Sequence, residues 1–118
     1  MAGQLAAALQ ETNEITLTVT GRVTGRDISI PVWFVAEDGK LYLLPVHGSD
    51  SDWYKNVVKN RRIKLDADDA SMTATAMPIT DPGRGQSVVE KFRSKYGADQ
   101  VAAYYPKTDV AVEVDVTG

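Results

Sequence analysis

A strict two-residue alternation at both ends of the chain constrains its fold more than any other feature. Ile15, Leu17 and Val19 alternate with Thr16, Thr18 and Thr20, and Val110, Val112, Val114 and Val116 alternate with Ala111, Glu113 and Asp115. Successive side chains of a strand point to opposite faces, so each run is a strand with one apolar face, and a helix would scatter the same residues around its circumference. Between them Ile28, Ile30, Val32 and Phe34 repeat at the same period, with Pro31 inside the run, which calls for an edge, a bulge or an opening there. Asp38-Gly39 is a tight-turn pair leading into Lys40-Leu-Tyr-Leu-Leu-Pro45, apolar on both faces. Ile63 and Leu65 mark a fourth strand, and Met72, Ala74 and Ala76 a fifth, whose apolar phase then moves to Met77 and Ile79 as a bulge would cause. The expectation is a mainly β, α+β fold of six strands with short helices between them, closed as a small barrel.

The helical segments are few. Leu5 and Leu9 lie at helical spacing in an alanine-rich stretch over 2–10. A helix over 52–59 follows the polar run His47-Gly-Ser-Asp-Ser-Asp52 and buries Trp53 and Val57. Asp81-Pro-Gly-Arg-Gly85 reads as a break before a helix over 86–96 with Val88, Val89, Phe92 and Tyr96 on one stripe. A shorter helix over 99–105 stops before Pro106. With 118 residues and no linker or repeat, residues 1–118 are expected to form a single domain.

Composition removes several classes of function. The net charge of −3 leaves no broad basic surface for nucleic acid. Without cysteine there is no disulfide, thiolate nucleophile or cysteine-bound metal, and one histidine rules out a multi-histidine site within the chain, so no metal is expected. No apolar run is long enough to cross a bilayer and no signal-peptide pattern opens the chain, which makes the cytoplasm the default location. His47, Ser49 and Asp50 sit in one loop, whereas hydrolytic triads assemble from separated segments. Asp66, Asp68 and Asp69 read as a solvated turn. Any demanding chemistry therefore falls to a bound cofactor.

One motif points to such a cofactor. Thr20-Gly-Arg-Val-Thr-Gly-Arg26 places two glycine–arginine pairs between two strands. Glycine lets the backbone turn tightly or approach a ligand, and arginine's planar fork suits phosphate or carboxylate. The alternative is a hairpin whose glycines serve the turn and whose arginines are solvated.

Taken in order, Leu17-Thr-Val-Thr-Gly-Arg-Val-Thr-Gly-Arg26, Pro31-Val-Trp-Phe34, Asp38-Gly39, Gly48 through Trp53-Tyr-Lys-Asn56 and Asn60 resemble the deazaflavin-dependent nitroreductase family. That family belongs to the split-barrel superfamily typified by pyridoxamine phosphate oxidase. The resemblance runs over about residues 15–66. It implies a flavin- or deazaflavin-binding domain, using coenzyme F420 or FMN, in a homodimer that transfers hydride to a quinone, nitro or enone acceptor. A non-catalytic flavin carrier or sensor on the same barrel is the alternative, and a barrel serving assembly alone is a third. By position, the resemblance puts Arg22 and Arg26, with Thr24 in their turn, at the cofactor phosphate. It puts Pro31, Val32 and Trp33, and Pro45 and Val46, against the ring. Gly48 and Ser49 approach the phosphate or ring edge, Trp53 and Asn56 shape the pocket, and Tyr104 or Tyr105 lines the acceptor side and donates a proton. Val23 and Ile28 stand where related chains often carry a further basic residue, and Asp50 and Asp52 make the loop before Trp53 acidic.

Overall fold

β1 (Ile15–Thr20) buries Ile15, Leu17 and Val19 and turns its threonines away from the core. The computed structural model describes residues 9, 12, 14–37, 39–67 and 70–116. The helix expected over 2–10 lies outside the described residues apart from Leu9, which is helical and packs into the core. Asp38, Asp68 and Asp69 lie outside them as well.

β1 pairs antiparallel with β2 (Asp27–Val32), from Ile15 opposite Val32 to Thr20 opposite Asp27, and Thr18 Oγ1 and Ser29 Oγ share a hydrogen bond of 2.8 Å across the pair. Residues 21–26 close this hairpin. Gly21 N–H donates to the Arg26 carbonyl at 2.8 Å, Gly25 N–H donates to the Gly21 carbonyl at 2.9 Å, and Gly25 sits at φ +73°. Both glycines are therefore spent on the turn itself.

The run expected as one strand through Phe34 is two. β2 ends at Val32, Trp33 and Phe34 leave the ladder, and β3 (Val35–Glu37) resumes as a hairpin with β4 (Lys40–Leu43) through Gly39 at φ +76°. The chain can break here because other groups satisfy the Phe34 backbone, as described below. The sheet thus has seven strands rather than six, in the order β2-β1-β5-β6-β7-β4-β3, with β5 (Arg62–Ala67), β6 (Ala70–Ile79) and β7 (Ala111–Asp115). Every pairing is antiparallel. β2 and β3 are the two ends of the order and do not pair with each other, so the sheet curls into an open half-barrel.

β6 explains the phase change in its sequence without a bulge. It pairs with β5 over Ala70–Ala67 through Thr75–Arg62, then with β7 over Ala76–Val114 through Ile79–Ala111, and both registers run without an insertion. Ala76 faces the core inside the barrel, Ile79 faces a second core beneath the helices, and Met77, expected inside, is half exposed. β7 serves both cores: Val110, Val112, Val114 and Val116 fill the first and Ala111 the second.

Of the helices, α1 (Asp52–Lys59) matches its expected bounds and buries Trp53, Tyr54, Asn56 and Val57. α2 (Pro82–Tyr96) starts four residues before the expected 86. Asp81 is its cap, accepting from Arg84 N–H at 2.9 Å, and Pro82 opens the first turn, where its missing N–H costs nothing. The supposed break is a helix start. α3 (Ala98–Tyr104) follows Gly97, and Tyr105 lies just past its end. Val88, Phe92 and Val101 of these two helices pack with Leu44 and Ile79 in the second core.

Candidate active site

Where the half-barrel stays open, a groove of about 710 Å³ runs between β2, the segment after β4, α1 and the end of α3. β2 supplies Ile28, Ile30, Pro31 and Val32, and Trp33 follows at the break in the sheet. Leu44, Val46 and His47 come from the segment after β4, Ser51 to Trp53 and Asn56 from the start of α1, Tyr104 and Tyr105 from α3, and Glu14 from the residue before β1. Ile28, Val46 and Tyr104 are large apolar or aromatic side chains left exposed by folding, and all three lie on this groove. Clustered exposed apolar surface in a concavity is what a ligand covers.

Trp33 is the best-supported wall. Its ring stacks on Tyr96 at 4.3 Å and 12°, and meets Tyr104 edge-on at 5.1 Å and Tyr105 at 6.2 Å. The next residue is clamped by the end of α2. Phe34 N–H donates to Tyr96 Oη at 3.1 Å, Tyr96 O–H donates back to the Phe34 carbonyl at 2.8 Å, and Lys95 Nζ donates to the same carbonyl at 2.8 Å while lying 3.6 Å over the Phe34 ring. A strand neighbour would ordinarily take these backbone groups. Burial raises the pKa of the Tyr96 phenol, and burial lowers that of Lys95. Tyr105 is buried more deeply, and burial pushes its phenol far up.

Arg22 lies beside α1, outside the residues that line the groove but bonded to two that do. Its Nη1 donates to Asn56 Oδ1 at 2.7 Å and to the Asp52 carbonyl at 3.3 Å, its backbone N–H donates to the same Asn56 oxygen at 3.1 Å, and Nη2 lies 3.6 Å from the Asp52 carboxylate. Asn56, itself buried, thus ties the glycine–arginine turn to the helix that floors the groove. Thr24 and Arg26 are exposed on the turn and do not line the groove; Thr24 Oγ1 accepts from Arg26 N–H at 3.3 Å.

Pro45, Gly48 and Ser49 hold the loop behind the groove rather than its surface. The buried Pro45 accepts from Gly48 N–H at 3.1 Å. Ser49 gives its N–H to Asp109 Oδ1 at 2.9 Å and its hydroxyl to Asp109 Oδ2 at 2.6 Å. Gly48, at φ +57°, packs so closely here that a Cβ would lie 2.1 Å from Asp109 Oδ1. Lys107 Nζ reaches Asp50 at 2.8 Å and Asp109 at 3.9 Å. The Ser49 hydroxyl holds Asp109 below the usual carboxylate range, the Lys107 hydrogen bond does the same for Asp50, and that bond raises Lys107 in return. The acidic loop is therefore matched by partners: Lys107 for Asp50 and Arg22 for Asp52.

The structure brings Pro31, Val32, Trp33 and Val46 together with Trp53, Asn56, Tyr104 and Tyr105 around one space. Leu44, expected with Val46 beside the ring, joins them, and Glu14 and Ser51 do so without any sequence signal. Ile28 and Ile30 stand opposite Val19 and Leu17, and Ile30 packs against the first core, so their alternation marks the inner face of β2, which also borders the groove.

A family model described as F420H(2)-dependent quinone reductase matches residues 1–117. The chain belongs to that family. It is accordingly an oxidoreductase enzyme, and the carrier and assembly readings give way. Among solved structures it is similar to an F420-H2 dependent reductase, FDR-A, at 25% identity and a TM-score of 0.68, covering 86% of this chain and 93% of that one. A structure described as a domain-swapped dimer matches at 23% identity and TM-score 0.68, over 95% of this chain and 93% of the other. A Listeria innocua protein assigned as a pyridoxamine 5'-phosphate oxidase matches at 12% identity and TM-score 0.69, over 96% and 90%, and shares the fold. No curated protein sequence matches this one at a significant level.

The groove of this family member suits a deazaflavin. A flat polycyclic ring needs apolar walls, and Ile28, Ile30, Val32 and Trp33 line the groove as such walls, with the Arg22 guanidinium close by on Asn56 and Asp52. Among the described residues no helix is long and apolar enough to cross a membrane, and no group of three or more acidic or histidine side chains gathers as metal ligands.

Proposed function

We propose that this enzyme takes electrons from reduced coenzyme F420 and passes them to a quinone, with nitro and enone compounds as alternative acceptors. The observation that carries the reading is the apolar groove, with Arg22 bonded to Asn56 of its lining. The family match and the likeness to the F420-dependent reductase FDR-A support F420 over FMN. When bound, the reduced deazaflavin supplies the hydride.

The chain's own residues bind and orient. Arg22 binds the phosphate, and Arg26 and Thr24, exposed on the same turn outside the groove, meet only the part of the tail that leaves it. Pro31, Val32 and Trp33 cover one side of the ring, and Val46 borders it from the other segment, whose path Pro45 fixes from behind. Gly48 and Ser49 set the path of that segment through Asp109, and Trp53 and Asn56 form the floor. Tyr104 and Tyr105 form the acceptor-side wall; with its phenol pushed up by burial, Tyr105 acts through its ring. Holding two reactants in register removes the entropic part of the barrier, so rigid walls matter more here than a strong base. The likeness to a domain-swapped dimer and the exposed outer strand β2 support a homodimer, which sedimentation velocity tests.

The decisive experiment titrates the purified protein with F420 and, separately, with FMN, followed by menadione turnover with reduced F420. Micromolar F420 binding is expected, weakened at least about tenfold in Arg22→Ala, the scale of one charge-assisted hydrogen bond. Circular dichroism establishes that the variant is folded. Absence of binding to either cofactor overturns the proposal; FMN binding alone replaces F420 by FMN.

A further inference from the structure

His47 is the one histidine of the chain, and it lines the groove. Its place is set by its backbone. His47 N–H donates to Ser51 Oγ at 2.8 Å, and its main chain forms a parallel bridge with Lys107. That bridge sets His47 beside the segment leaving Tyr104 and Tyr105, which line the same groove. The residue is exposed, so its ring exchanges protons with water.

Reduction of a quinone to a hydroquinone takes up one hydride and one proton. We propose that His47 is the general acid of this site, delivering that proton to the acceptor oxygen; the assignment rests on the deazaflavin-dependent reading above. A reduced deazaflavin held in the groove would supply the hydride that reduces the quinone and would itself be oxidised. The N–H bond of the imidazolium breaks as the O–H bond of the hydroquinone forms, and the neutral imidazole regains its proton from water. Imidazole titrates nearer neutral pH than any other unperturbed side chain, which suits this exchange.

The other groups facing the histidine serve less well. From α3, Tyr105 has its phenol raised far by burial, and Tyr104 packs its ring edge-on against Trp33. From α1, Asp52 is paired with Arg22. Glu14, before β1, and Asp52 are carboxylates, which as a class accept rather than donate near neutral pH. Across the bridge Lys107 is held by Asp50 and Asp109, and Asp109 is taken by Ser49.

A single histidine makes the test direct. The imidazole Cε1–H signal of the F420-loaded protein is followed by NMR through a pH titration, with and without menadione. A menadione-dependent displacement of its midpoint is expected. Single-turnover reoxidation of bound reduced F420 by menadione is then timed from about pH 5 to 9 in wild type, His47→Gln and Tyr104→Phe. The wild-type rate should fall as pH rises through the midpoint seen by NMR. His47→Gln should be slower by about 10²-fold with that limb gone, while Tyr104→Phe keeps the limb. Reoxidation is timed on protein already loaded with reduced F420, so a change of cofactor affinity in His47→Gln does not enter the rate. A wild-type-shaped profile in His47→Gln, or a histidine signal that menadione leaves in place, overturns the assignment. A wild-type protein that binds F420 but never reoxidises it with menadione overturns the parent reading, and the role of His47 with it.

Discussion

At the residue scale, the groove depends on side chains that never touch it. Asp109 takes both the N–H and the hydroxyl of Ser49, and its carboxylate stands below its ordinary value of 3.8 mainly because of that hydroxyl. A carboxylate whose folded pKa is depressed adds stability above its unfolded value, and that stability is lost as pH falls through the folded value. The loop from Val46 to Ser51 should therefore loosen in acid once pH drops below 3.8, with Asp50 and its Lys107 bond acting in the same direction. Both carboxylates are solvent-exposed, so the change should be local rather than global. Trp53 fluorescence in acid should report it, and Asp109→Asn should show the loosened signal already at neutral pH. A fluorescence that stays constant down to the global acid transition would reject the latch. None of this was legible in the sequence, because Ser49 and Asp109 are sixty residues apart and each is an ordinary loop residue by itself.

At the element scale, the end of α2 does what a neighbouring strand would otherwise do. Between β2 and β3 the Phe34 backbone bonds to Tyr96 and Lys95, which frees Trp33 to leave the sheet and face the groove. Tyr96→Phe keeps the ring that stacks on Trp33 but removes a partner of the buried Phe34 N–H. A loss of about 1–3 kcal/mol is expected, the cost of an unsatisfied buried donor. Urea denaturation measures it, and Trp33 emission in a Trp53→Phe background should shift with it. An unchanged midpoint would mean that water replaces the phenol. The helical stripe of Val88, Val89, Phe92 and Tyr96 was readable, but it marked Tyr96 only as a core residue. The bond from its hydroxyl to the Phe34 backbone, in the break between two strands, depends on how α2 docks.

At the scale of the whole molecule, two cores share one sheet. β6 pairs with β5 along one half and β7 along the other, and β7 fills both cores. Unfolding should therefore be a single transition. Phe92 is fully buried in the second core and touches Tyr96 and Tyr105 with its ring. Phe92→Ala should cost about 3–5 kcal/mol, from lost transfer energy and the cavity left behind. Trp53 lies in the first core, yet its fluorescence should lose its midpoint together with the far-ultraviolet dichroism. Two separated transitions would show the cores to be independent.

Sequence alone determined whatever depends on neighbours a few residues away. Alternation placed β1, β5 and β7, helical spacing placed α1 to the residue, and Gly39 and Gly25 marked turns that need a positive φ. The ordered motifs from Leu17 to Asn60 reached the family as well. Tertiary structure decided what depends on distant groups meeting. It split the run through Phe34 in two, left a groove open beside the inner face that carries Ile28 and Ile30, and matched Asp50 and Asp52 with Lys107 and Arg22. Periodicity says that a strand has two faces, but only packing says whether a face meets a core, a helix or a ligand.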